Sequence, residues 1–141
     1  MRKLAFALAL AATVSVGKAQ GFTVTPFGPS CGPVASGEVT PNGATYRFAF
    51  TVVGQPDMFV INILAVTPNL IPIDFGYSCM LLSDIAFTQV HRTDDTGTYT
   101  WSHAMPNGFD GHAYVQFAEF EFDAVGQFLV RTSNALHMAP N

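Results

Sequence analysis

Lysine is missing from this chain beyond Lys18, and basic residues of any kind are scarce. Of the six, Arg2, Lys3 and Lys18 stand near the start, which leaves Arg47, Arg92 and Arg131 for everything after Ala19. All ten acids lie in that later part: Glu38, Asp57, Asp74, Asp84, Asp94, Asp95, Asp110, Glu119, Glu121 and Asp123. Three arginines against ten carboxylates give a net charge of −7 with the histidines neutral, compared with −4 for the whole chain. Nucleic acids and anionic bilayers recruit proteins through cations that neutralise phosphate. With so few cations, neither is expected as a partner.

Other absences narrow the chemistry. After the first residues no apolar run approaches the roughly 20 residues that a helix needs to cross a bilayer, so no membrane insertion of the later chain is expected. There is no His-Glu-x-x-His pair of zinc ligands, no Gly-x-Ser-x-Gly nucleophile elbow and no phosphate-cradling glycine loop. Ser30, Ser78, Ser83, Ser102 and Ser133 all lack the elbow setting. Hence no catalytic residue, metal or cofactor is assigned. Disorder is excluded from the other side, because 13 phenylalanines make the chain too apolar for it.

What is there begins with an export signal. Arg2 and Lys3 precede the apolar run 4–16, and Gly17 and Ala19 put small residues at positions −3 and −1 of a cleavage site. Cleavage after Ala19 is predicted, leaving 20–141 as a single secreted domain, extracellular or periplasmic. Cys31 and Cys79 are the only cysteines. In an exported protein an isolated pair is more often a disulfide than a metal site or a nucleophile, so a Cys31–Cys79 bridge is expected.

The exported part alternates with period two and is punctuated by Gly, Pro, Asn and Asp. Strands are expected at 22–27, 45–53, 58–66, 78–82, 85–92, 98–105, 112–122 and 128–138. Tyr46, Phe48, Phe50 and Val52 share one face of the second. The third is apolar on both faces apart from Asn62, which suits the middle of a sheet. Pro68 and Pro72 point to a loop over 67–77. A change of apolar face near Phe117 and Ala118 suggests a β-bulge. About eight short strands at this spacing imply an all-β fold, an antiparallel β-sandwich with immunoglobulin-like or jelly-roll topology, after an N-terminal signal helix.

Four segments fall in a familiar order: Phe27-Gly28-Pro29-Ser30-Cys31-Gly32, Gly76-Tyr77-Ser78-Cys79-Met80-Leu81-Leu82, Gly111-His112-Ala113-Tyr114-Val115-Gln116 and Arg131-Thr132-Ser133-Asn134-Ala135-Leu136. The series resembles the small secreted β-sandwich proteins and carboxy-terminal modules of planctomycete-type bacteria. The resemblance implies a fold and an address outside the cytoplasm, and no reaction.

Candidate ligand residues are few. Tyr99, Trp101, His103 and Met105 share a strand face, where aromatics either stack on sugar rings or fill a core. His103 and His112, with Asp110, offer imidazole and carboxylate donors of the kind zinc or copper takes, against a bland placement at strand ends. Asp94 and Asp95 suit either Ca²⁺ or a tight turn. Glu119 and Glu121 lie two apart on one strand and read as a solvated face rather than a glycosidase pair. Tyr99, Trp101, His103 and His112 are therefore the candidate ligand face. The expected function is a non-enzymatic binding or structural role at the cell envelope or extracellular matrix, with polysaccharide or other envelope proteins as partners. A carbohydrate-binding module and a small secreted hydrolase or metal-dependent enzyme are the alternatives.

Overall fold

A computed structural model describes residues 21–106 and 110–141. The expected export segment over 1–19, with the signal helix expected there, lies outside the described residues. Ten strands follow in order: β1 (Phe22–Phe27), β2 (Val34–Asn42), β3 (Thr45–Val53), β4 (Phe59–Ala65), β5 (Pro68–Asp74), β6 (Ser78–Ser83), β7 (Phe87–Arg92), β8 (Thr98–Pro106), β9 (Ala113–Phe122) and β10 (Phe128–Pro140). All pairings are antiparallel. A five-stranded sheet runs β1-β10-β9-β4-β7, a three-stranded sheet runs β2-β3-β8, and β5-β6 form a hairpin.

Period-two alternation explains the layers, because successive side chains point to opposite faces of a strand. Phe48, Phe50 and Val52 of β3 bury against Val60 of β4, Val115 and Phe117 of β9, and Leu136 and Met138 of β10. The inner faces of the two larger sheets thus share one core, in a sandwich-like arrangement. β4 sits between β7 and β9, the interior position that its two apolar faces require. Its outer residues meet the β5–β6 hairpin, where Ile63, Leu81, Ala118 and Val130 form a second cluster.

Two of the ten strands depart from the sequence expectation. β2 carries Gly37 and Pro41 and few large apolar residues, so its alternation is weak; as an edge strand it needs only one face filled. Segment 68–74 is a strand and not a loop, and its prolines are tolerated because β5 lies at the edge of its hairpin. The expected bulge in β9 is also corrected. Its register against β4 is continuous from Phe120 to Tyr114, and the irregularity falls in β10 between Thr132 and Ala135. Phe117 and Ala118 are both buried because the hairpin covers the outer face of β9, so no change of face is needed.

Cys31 and Cys79 are joined in a disulfide, with Cα atoms 5.7 Å apart. The bridge ties the segment before β2 to β6. Gln116 also holds β6, from β9. Its carboxamide donates to Met80 O and Ser133 O at 3.0 and 2.7 Å and accepts the Leu82 N–H at 2.9 Å.

Candidate functional site

The two larger sheets differ in width, and that difference builds the site. At one side β2 packs on β1 and β10. At the other, β7 and β8 are the last strands of their sheets, and no strand among the described residues bridges them. Register puts Phe87, Gln89 and His91 of β7 on the same face as Leu64, Asn62 and Val60 of β4, the face turned to the core. Tyr99, Trp101, His103 and Met105 occupy the inward face of β8, opposite Val52, Phe50, Phe48 and Tyr46 of β3. His91 and Tyr99 stack across this opening with ring centroids 4.3 Å apart. Burial raises the pKa of the Tyr99 phenol above its ordinary value.

Beside that stack the core is accessible. A cavity of about 160 Å³ is lined by Phe48 and Phe50 at its base, by Leu64, Ala113 and Met138, and by Trp101, His103, Met105, Val66 and His112 around it. A shallower groove of about 410 Å³ adjoins it, lined by Leu64, Phe87, Gln89, Trp101 and His103. Trp101 is half-buried and contacts Phe50 at 5.6 Å between ring centroids and His103 at 6.1 Å. Its indole therefore belongs to both readings of the sequence, packing on the core with one side and facing the opening with the other. None of the described residues lining the cavity or the groove is Asp, Glu, Lys or Arg.

Asn62 neighbours two residues of the groove's lining without lining it. It stands directly across from Gln89 and two residues from Leu64, and it is fully buried. Neither its amide nitrogen nor its amide oxygen has a hydrogen-bond partner in the protein. An unsatisfied buried amide costs about 1–3 kcal/mol.

No protein-family model, curated protein or solved structure matches this chain.

The structure gathers the sequence-predicted ligand face only in part. Trp101, His103 and His112 line one cavity, while Tyr99 lies beside it in the His91 stack. The imidazole of His112 pairs with His137, not with His103: its Nδ1 lies 2.8 Å from His137 Nε2, and the His137 ring stacks on Tyr114 at 4.7 Å. Burial, and secondarily the charge of His112, lowers the pKa of His137. Among the described residues no group of three His, Cys, Asp or Glu side chains is arranged to hold a metal ion. Asp94 acts as a turn residue: its carboxylate accepts N–H bonds from Thr96 and Thr98 and the Thr96 hydroxyl, and the Thr96 hydroxyl bond is the main cause of its lowered pKa.

Glu119 requires a correction. It is not part of a solvated face but 1% exposed, pointing inward from β9 beside Val60. Its Oε1 accepts the Gln55 N–H at 2.8 Å, and its Oε2 lies 3.3 Å from Arg131 Nη2 without hydrogen-bond alignment. Burial raises its pKa against the opposing effects of the Gln55 N–H and the Arg131 charge. The expected change of face at Phe117 and Ala118 turned Glu119 outward, and no local signal marks its partner on β10. Asn62 was noticed only as an interruption of an apolar strand, and no local signal marked it as unpaired.

Proposed function

We propose that this protein is a secreted, non-enzymatic binding protein of the cell envelope or extracellular matrix, built on an antiparallel β-sandwich and binding at the open edge between β7 and β8. The observation that carries the reading is the apolar cavity at that edge, which reaches Phe48 and Phe50 of the core and has Trp101 and His103 beside it. Well-formed apolar concavities bordered by a few polar groups are the usual form of a small-molecule site. The Cys31–Cys79 bridge, with no membrane-spanning helix among the described residues, is compatible with an extracellular or periplasmic address. The order of motifs around the two cysteines supports kinship with the small secreted proteins of planctomycete-type bacteria.

A carbohydrate-binding role is the second reading. It is favoured by the groove itself, where Trp101 and Phe87 offer ring faces beside the polar Gln89 and His103. Trp101 is the only tryptophan, so its emission reports directly on the site. Wild-type and Trp101→Ala protein should be compared for retention on a panel of polysaccharides and for thermal shift with a small-molecule library. A ligand lost with Trp101→Ala while the fold survives supports binding at this edge. Ligands that bind both proteins equally would place the function elsewhere.

A further inference from the structure

We infer that the cavity at the open edge accepts a six-carbon hydrocarbon ring of an uncharged small molecule whose hydrogen-bonding part lies in the adjoining groove. The inference rests on the binding reading above and names its ligand class.

Size comes first. Apolar cavities of about 150 Å³ stay dry and admit one benzene-sized ring, and this one measures about 160 Å³. A complete ligand of ordinary size needs about 300 Å³ or more, so the rest of the molecule must lie outside the cavity. The groove that shares Leu64, Trp101 and His103 with the cavity provides that space.

Polarity separates the two parts. Phe48, Phe50, Leu64, Met105, Ala113 and Met138 offer carbon and thioether surface to whatever enters. A sugar ring placed there would bury several hydroxyls, each unfavourable without a hydrogen-bond partner. A hydrocarbon ring carries no such cost. Met105 and Met138 add unbranched side chains that adjust to the shape of a ring.

Charge and hydrogen bonding complete the assignment. In a chain carrying net negative charge, neither the cavity nor the groove is lined by a described acid, lysine or arginine. A carboxylate or ammonium on the ligand would be desolvated with no opposite charge to meet it. A neutral hydroxyl or amide, by contrast, finds Gln89 and His103 in the groove.

The test uses Trp101 emission with cyclohexanol, benzyl alcohol, benzoate and methyl glucoside as probes, repeated on Ala113→Leu and Val66→Phe. Ala113→Leu fills the cavity from inside. Val66→Phe narrows it from an exposed position, so it keeps the test usable if the buried substitution unfolds the domain. The expected result is saturable binding of the two alcohols and at least about tenfold weaker binding of benzoate, from the cost of burying its charge. The alcohols should be displaced in Val66→Phe and in any folded Ala113→Leu. Alcohol binding that both folded variants leave unchanged would overturn the inference. Response to methyl glucoside alone, together with polysaccharide retention that is lost in Trp101→Ala, would overturn the ring assignment and leave the binding reading standing. Silence toward all four probes, together with no polysaccharide retention, would remove both.

Discussion

The β1/β2 edge and the β7/β8 edge enclose the same core and finish differently. At the first, Asn134 of β10 acts as a length of backbone: its Oδ1 accepts the Ala35 N–H at 2.9 Å and its Nδ2 donates to Ala35 O at 3.0 Å. Gly37 lets β2 come close, since a Cβ there would meet Val24 at 2.8 Å and Phe50 at 2.9 Å. At the second edge the His91–Tyr99 stack spans the sheets beside the turn that joins β7 to β8, where the Asp94 N–H bonds Thr98 O, and the core is reached through a cavity. The first edge closes where a polar side chain satisfies the edge strand. The second stays open where ring faces meet beyond the turn.

The comparison can be broken most severely on the closed side. Replacing Cys31 and Cys79 together by Ser should lower the unfolding free energy by about 4 kcal/mol in urea titrations, given the loop of 48 residues that the bridge closes. A loss of less than about 1 kcal/mol would mean that the bridge adds little to the hold on β6 that Gln116 provides. Next in size is Asn134→Ala, which strands the backbone N–H and C=O of Ala35. A loss of about 2 kcal/mol is expected, with faster amide exchange confined to β2. On the open side His91→Ala should cost under about 1 kcal/mol, the scale of one ring pair. Near-equal losses for Asn134→Ala and His91→Ala would erase the distinction between the edges.

A subtler probe concerns the charge buried between them. The pKa of Glu119 is raised by burial, so the folded protein favours the protonated carboxyl. That contribution to stability is fully present below the unfolded-state pKa, near 4.5. It is lost as pH rises through the folded-state value. Glu119→Gln keeps the acceptor for the Gln55 N–H and removes the titration. The stability difference, variant minus wild type, should therefore grow as pH rises from about 4 towards neutrality. A difference independent of pH would show that Arg131 compensates the carboxylate fully.

The motifs around the cysteines turn out to carry joints of the fold. Gln116 of Tyr114-Val115-Gln116 ties β6 to the large sheet, and Ser133 and Asn134 serve β9 and β2. They were legible as a series but not as hydrogen bonds, because each partner lies far away in the chain. Trp101, His103 and His112 were legible as a candidate face, and the cavity they share was not. Phe48, Phe50 and Val52 were readable as core from alternation alone.

Composition and period therefore determined the all-β class, most of the strands, the inward residues of β3, the interior position of β4, and the pairing of the only two cysteines. Those properties depend on residue type and on neighbours two positions away. Tertiary structure alone decided which strands end each sheet, that β2 and β5 exist, that Glu119 is buried against Arg131, and that Asn62 lies buried and unpaired across from Gln89. Each of these depends on contacts between residues distant in the chain. Strand alternation specifies which face a side chain takes and carries no information about what stands opposite it.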